Sequence, residues 1–536
     1  MAEIVHGFQR ISRRLLAFLV LKFDRSVWFF LVIGIALRCV ALNQPLVDAH
    51  LLRQCQTAAV TRNLLEQSGF HLSAQAPWLG DLDKRFVLEP PVYNYLVIAV
   101  YHLVGNLDVA GKVTTILLWL SSFLCLQGIW RRLLNRQQTL WANLLFVISP
   151  LEMFYGQAFM PEMLVQFLAF GFLLLLIRYQ ESPRLGRWIW CAAVGLFALL
   201  IKLPETAHLY VILLVLLVWR EGWKAILRPR YVVAAVLTVA GLKGWAIYRD
   251  GVNQDISDAF ISTNSLGLFI GSLTDRFHLK PWVMIFLYVG AFAIPGPAAL
   301  AAVHGLWIFV QREREKIFGA WLLSIAVFYL VWFGNNGAPG QAYYNLPVVA
   351  PVCGLFGIGL SALLSRDRVL LWRRTAIATA LILTVVPAIP VWQYLLKPDR
   401  QILAAALWTG QWTKPNDVIL FRPNHRWDMI DYDINAVFPY YSDRPTFVWT
   451  AMTAQKYRKL ALERAAYAVV TLPQPPGTGL LGAINRWRGA YGRQPERMDW
   501  LENYGFQVSA RENGFLVYAR RGASTGQPNT TILPAR

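Results

Sequence analysis

The stretch VWFFLVIGIALRCVAL, residues 27–42, gives way at once to NQPLVDAHLLRQ, residues 43–54, and that change of chemistry decides the fold. The first run is apolar enough to cross a bilayer as a helix. In hydrocarbon every backbone donor and acceptor must be satisfied within the protein, so the irregular polar stretch that follows, residues 43–91, has to lie at the water interface. It carries Asp48 near its start and Glu89 near its end, and thus returns two carboxylates to one membrane surface.

The rest of the chain has the same character. Of 536 residues, 56% are hydrophobic and 15% charged, with 22 Trp and a mean hydropathy of +0.40, far from ordinary soluble composition. Apolar windows follow at 111–130, 140–149, 163–177, 188–201, 208–219, 231–247, 282–309, 318–333, 346–364 and 369–392. With residues 27–42 they predict about eleven transmembrane helices. The window at 140–149 is short, and that at 282–309 is interrupted by Pro295, Gly296 and Pro297. Gly354, Gly357 and Gly359 fall inside a window and fit close helix packing.

The net charge of +20 resides largely in short loops, the pattern of cytoplasmic loops and not of a nucleic-acid surface. The clusters are Arg131, Arg132 and Arg136; Arg178, Arg184 and Arg187; Lys224, Arg228 and Arg230; Arg312, Arg314 and Lys316; Arg366, Arg368, Arg373 and Arg374. Placing all of them inside puts the N-terminus in the cytoplasm and the C-terminal region outside, provided that residues 92–104 form an interfacial helix and do not cross. Asp48 and Glu89 are then external. The basic N-terminus (Arg10, Arg13, Arg14, Lys22, Arg25) precedes the first span with no small-residue cleavage site after it, as in an uncleaved anchor. Of five cysteines, Cys39, Cys125, Cys191 and Cys353 lie in or beside predicted spans and only Cys55 in a polar stretch, so no disulfide framework is implied.

Beyond Trp392 the composition becomes that of a soluble domain. DVILF (417–421) and YAVVTL (467–472) have the pattern of buried strands, and 505–510 with 515–519 that of a hairpin around Glu512, Asn513 and Gly514. Helical patterns at 400–412 and 453–464 alternate with them, which predicts a small α/β layer. The expected organisation is an all-α polytopic membrane domain over 1–395, an extracytoplasmic soluble α/β domain over 396–521, and a disordered tail over 522–536.

Candidate chemistry gathers at the outer surface. Asp48 opens an amphipathic stretch and fits either an N-cap or a catalytic base. Glu89 precedes Pro90 and Pro91, which suit a helix start. Glu162 follows Pro161 at the outer end of a span, with Glu152 shortly before, where acids also complement a helix dipole. Lys202 and Lys243 lie near outer span ends, where positive charge is scarce; each either snorkels or meets an ion. Tyr343 and Tyr344, after Asn335, Asn336 and Gln341, suit an aromatic belt or a sugar or phosphate pocket. Zinc spacing, a P-loop, GxSxG and a dinucleotide fingerprint are missing from any credible context, so an activated substrate has to come from the membrane.

Three stretches carry a family likeness: VDAHLLRQCQTAAVTRNLLEQSG from Val47, LEPPVYNYLVIAVYHLVG from Leu88 and SPLEMFYGQAFMPEML from Ser149, with YYNLPVVAP from Tyr343. Here the chain resembles the polytopic GT-C glycosyltransferases, specifically bacterial relatives of protein O-mannosyltransferases and of the lipid A aminoarabinose transferase. The resemblance implies transfer of a sugar from a polyprenyl-phosphate donor to an acceptor on protein, lipid A or another glycan, with inversion, at the outer face of the bacterial inner membrane. It matches Asp48 and Glu89 to the family's catalytic acids and Glu162 to the acid at the start of the fourth span. Arg53 and Lys202 are the looser candidates for gripping the phosphate. It leaves open a divalent cation on Asp48, Glu89 or Glu162. Gln341 departs from the family's histidine before the paired tyrosines. The competing readings are a lipid or sugar transporter or flippase, for which the Pro295 to Pro297 break is a feature, and a non-enzymatic envelope scaffold.

Overall fold

The computed structural model describes residues 25–254, 256, 270–311, 316–336, 342–365, 370–423, 436–449, 455–472, 499–512 and 515–523. The basic run up to Lys22, Arg312, Arg314, Arg366, Arg368, Gln341, Asn513, Gly514 and the tail from 524 lie outside them.

Helix α1 (Arg25–Cys39) leads into the polar segment, which contains α2 (Leu51–Glu66) and a small antiparallel hairpin of β1 (Ala74–Gln75) and β2 (Arg85–Phe86). Next come α3 (Val92–Val104) and α4 (Leu107–Leu133). The corner between them is written in two residues. Gly105 ends α3 in the left-handed region at φ 77°, and the Asn106 side chain accepts from the Val109 N–H to start α4. A capping box of Asn135 and Gln138 opens α5 (Arg136–Ile148). Then follow α6 (Pro150–Tyr155), α7 (Glu162–Glu181), α8 (Leu185–Ile201), α9 (His208–Glu221) and α10 (Pro229–Asn253). The membrane part closes with α11 (Leu279–Leu287), α12 (Ala298–Gln311), α13 (Lys316–Val331), α14 (Leu346–Ser365), α15 (Leu370–Val385) and α16 (Ala388–Leu395).

Among the described residues six helical stretches are long and apolar enough to cross a membrane, or seven if a bent pair counts as one span. This is fewer than the eleven expected, and the reason is length. Windows at 27–42, 140–149, 188–201 and 318–333 correspond to described helices of 15, 13, 17 and 16 residues, each below the roughly 20 residues of a typical span. The interruption at Pro295 to Pro297 is a sharp bend of 104° between Leu279–Ala293 and Ala298–Gln311, where the prolines remove backbone donors. The glycines of α14 do serve packing: a Cβ on Gly359 would fall 1.9 Å from the Ala301 carbonyl oxygen, and one on Gly357 would fall 2.3 Å from that of Gln138.

The C-terminal region contains α17 (Arg400–Trp412), β3 (Ile419–Arg422), α18 (Val437–Ser442), β4 (Thr446–Val448), α19 (Gln455–Arg464), β5 (Tyr467–Thr471), β6 (Phe506–Glu512) and β7 (Phe515–Arg520). They build a five-stranded sheet in the order β4-β3-β5-β7-β6. β3 pairs in parallel with β4 and β5, while β7 runs antiparallel to β5 and β6. The strands expected at 417–421, 467–472, 505–510 and 515–519 are present. β4 was not anticipated, because three residues are too few to display an alternation.

The polar segment is seated on this sheet. Leu79 bridges Phe447, the Gly80 N–H donates to the Thr446 carbonyl at 2.9 Å, and the Val448 N–H donates to the Trp78 carbonyl at 3.2 Å. Gly80 has φ 63°, and a Cβ there would meet the Phe447 ring at 2.3 Å, so only glycine suits the contact. Buried Leu46, Val47, Cys55, Trp78 and Phe86 share one apolar cluster with Ile402, Phe421, Phe438 and Val517. A second cluster, centred on Trp119, Phe123, Trp130 and Phe146, fills the helical bundle. The candidate residues lie where the two meet.

Candidate active site

Asp48 is buried at 4% exposure and does not cap a helix. α2 starts later, with His50 in the cap position and no side-chain cap bond. The Asp48 carboxylate instead accepts from Gln54 Nε2 at 2.5 Å, and Gln54 is fixed in turn by accepting from the Phe159 N–H at 3.0 Å. Burial pushes the Asp48 carboxyl up to about 6, against the opposing charge of Lys112 and the Gln54 hydrogen bond. It therefore titrates close to neutrality, where a general base is most effective.

Two ion clusters lie beside it. Arg53 pairs with Glu89 and donates to Gln56 Oε1 at 2.6 Å. Burial alone would lower Arg53, but Glu89, and at longer range Glu162, outweigh it and hold the guanidinium above its ordinary value. In the second cluster Lys202 Nζ lies 2.5 Å from Glu162 Oε1 and 2.6 Å from Glu205 Oε1, all three side chains being buried. The ammonium stands 4.3 Å from the Tyr343 ring centroid and 5.4 Å from that of Tyr344, a cation–π arrangement. His50 joins the two halves, 5.2 Å from Tyr343 and 5.6 Å from Tyr155 between ring centroids. Burial first, then Lys202 and Arg53, push His50 down to about 3, so it is neutral.

Two openings reach these groups. A cleft of about 480 Å³ is lined by Arg53, Gln56, Thr57, Glu89 and Asn94, and Gln56 Nε2 is buried there without a partner. A second, apolar groove of about 430 Å³ runs past Val165, Phe170 and Trp321 to Glu162, Glu205 and His208. A cleft that opens on Arg53 and Glu89 and an apolar groove that opens on Glu162 and Glu205 suit an amphiphile with a charged headgroup.

The sequence candidates therefore divide. Arg53, Glu89, Glu162, Lys202, Tyr343 and Tyr344 come together, with Asp48 on the neighbouring turn before α2. Lys243 does not join them: it is exposed on α10 and belongs to neither cluster. Asp48, Glu89 and Glu162 do not form a shared ligand set, since each holds a different partner. Among the described residues no group of three His, Cys, Asp or Glu side chains is placed to hold a metal ion. Four contributors went unread in the sequence: His50, Tyr155, Lys112 and Glu205. Glu205 did carry a signal, because KLPE places it at i+3 from Lys202, and in a helical turn those side chains meet.

Residues 88–246 match the family model described as dolichyl-phosphate-mannose-protein mannosyltransferase. No curated protein matches the chain in sequence. Among solved structures, the chain is similar to ArnT from Cupriavidus metallidurans bound to undecaprenyl phosphate, with a TM-score of 0.63 and 14% identity over 94% of this chain and 100% of that one. It is also similar to the Archaeoglobus fulgidus oligosaccharyltransferase in the apo form, at a TM-score of 0.54 and 12% identity, covering 84% of this chain and 70% of that one. The arabinofuranosyltransferase AftD from Mycobacteria gives 0.53 at 14% identity, over 93% of this chain and 41% of that one.

Proposed function

From a polytopic GT-C fold as premise, we propose that this chain is a membrane glycosyltransferase that moves a sugar from a polyprenyl-phosphate donor to an acceptor hydroxyl or phosphate, by direct displacement with inversion. The observation that carries the reading is the gathering of Arg53, Glu89, Glu162, Lys202 and Tyr343 around the turn that bears Asp48, with a cleft opening on Arg53 and Glu89 and an apolar groove opening on Glu162 and Glu205. The groove suits the prenyl chain and the cleft suits the headgroup. The family match over 88–246 and the undecaprenyl phosphate bound by ArnT point to the same donor class.

In this reading Asp48 takes the proton of the acceptor hydroxyl, which is a poor nucleophile on its own. Arg53 and Lys202 meet the phosphate as its charge develops. Both are already engaged by carboxylates, so the donor's phosphate has to share or displace Glu89 and Glu162. That exchange favours a transition state in which the phosphate is most negative. Lys243 has no part in it. The charge pattern of the loops supports a cytoplasmic N-terminus and a periplasmic C-terminal domain over 396–521, in a bacterial inner membrane. About eleven crossings agree with that orientation, the shorter apolar helices supplying the remainder.

The test is Asp48→Asn in the full-length protein, with transfer followed by mass spectrometry of envelope glycans and glycoproteins. A loss of about 10² to 10⁴-fold is expected, with helical content unchanged. The wild type should lose activity as pH falls through about 6, since the carboxylate form is the one that works. Retained activity in Asp48→Asn, or a flat rate from pH 5 to 8, would remove Asp48 as the base.

A further inference from the structure

Most of the hydrogen bonds that hold the segment before Asp48 come from outside it. Lys112 Nζ on α4 donates to the Ala41 carbonyl at 2.7 Å and to the Gln44 carbonyl at 2.5 Å. The junction after α16 supplies three more bonds: Gln44 Nε2 donates to the Leu396 carbonyl at 2.6 Å, the Ala49 N–H to the Leu395 carbonyl at 3.1 Å, and the Asp399 N–H to the Val47 carbonyl at 2.6 Å. The Leu46 N–H, two residues before Asp48, donates to the Tyr441 hydroxyl at 2.6 Å. That hydroxyl donates onward to Asp108 Oδ2 at 2.9 Å, one turn before Lys112 on the same face of α4.

Tyr441 belongs to α18 of the C-terminal region, yet its oxygen adds to Lys112 a second link between α4 and the backbone before Asp48, and the one that reaches Leu46. Its neighbour Tyr440 supplies a natural contrast. Tyr440 donates to the other oxygen of the same carboxylate, Asp108 Oδ1, at 2.5 Å, and its ring lies 5.2 Å from the Arg62 guanidinium. It docks the domain without a bond from its hydroxyl to the segment.

We infer that Tyr441 is a positioning residue for Asp48, and that the C-terminal sheet region is thereby a working part of the reaction centre. This rests on the reading of Asp48 as the base. A hydroxyl that accepts from a buried N–H and donates to a carboxylate fixes both ends of the bond. Removing it leaves the Leu46 N–H and Asp108 Oδ2 short of a partner, and the segment has to open to water to satisfy them. The titratable groups facing Asp48 are Lys112 from α4, Cys55 from α2 and Tyr155 from α6. None of them replaces the lost bond. Because burial is what holds the Asp48 carboxyl up, hydration of the segment moves it down, toward the ordinary carboxylate range.

The experiment compares Tyr441→Phe, Tyr440→Phe and Asp48→Asn in full-length protein. Hydrogen–deuterium exchange of residues 44–49 is read by mass spectrometry. Transfer from the membrane's own polyprenyl-phosphate sugars is read in vesicles as a function of pH. Tyr441→Phe should exchange about tenfold faster at Leu46 to Ala49, transfer about tenfold more slowly at saturating donor, and keep its activity to lower pH than the wild type. Tyr440→Phe should match the wild type in all three. The inference is overturned if Tyr441→Phe leaves exchange and pH profile unchanged, or if Tyr440→Phe reproduces its effects, which would assign them to domain docking alone. Asp48→Asn separates the two readings: if it remains active, the base assignment fails, while the exchange comparison still judges the positioning bond.

Discussion

Helices α7 and α10 have nearly the same hydropathy over their most apolar windows, 1.7 and 1.5, yet 72% of the first window is buried within the protein and only 6% of the second. Hydropathy declares that a helix can cross a membrane; it does not declare what will surround it. The difference is carried by the polar residues. α7 opens with buried Glu162 and holds buried Gln166 one turn on, which donates to Glu152 Oε2 at 3.2 Å. Charged and amide groups at that depth are tolerated only with partners, and the partners come from helices packed on every side. α10 presents Lys243 on an exposed face, where a long side chain can reach the interface unaided.

The sharpest way to break this contrast is Lys202→Met, which leaves Glu162 and Glu205 facing each other without their shared cation. Breaking a buried ion pair typically costs about 3 to 5 kcal/mol. The expected outcome is a large fall in Tm in detergent together with transfer reduced at least about a hundredfold; wild-type Tm and transfer would show that the cluster holds neither fold nor donor. A smaller effect is expected from Gly359→Val, because α12 and α14 touch through their backbones there and overpacking costs about 1 to 3 kcal/mol. The control is Gly244→Ala on α10, where a Cβ meets nothing within 4 Å, and thermal unfolding of the pair measures the difference. Smallest of all is Lys243→Met, for which transfer and Tm should stay within about twofold and a degree or two of the wild type. A hundredfold loss of transfer there would bring α10 into the site and undo the contrast.

How much of this was legible beforehand follows the reach of each signal. The strands β3, β5, β6 and β7 and the helix at 400–412 are written in local patterns of apolar run, alternation and period. The acids were legible because charge at the edge of an apolar run is conspicuous. What stayed hidden depends on residues far apart in the chain. Trp78 and Leu79 meet β4 across more than three hundred and fifty positions, and Tyr441 meets Leu46 at a separation of 395, distances over which no periodicity speaks. Asp48 was legible as an acid but not as a buried one. Its environment comes from Gln54, Lys112 and the C-terminal junction, which only the folded chain assembles.

Cys55 is fully buried on α2 and its Sγ lies 3.3 Å from the Leu46 carbonyl. Any lifting of that strip of chain, whether during substrate entry or in a weakened variant, uncovers a nucleophilic sulfur. With exposed Cys39 and half-buried Cys125 first replaced by serine, maleimide labelling at 55 becomes an internal clock for how often that strip lifts.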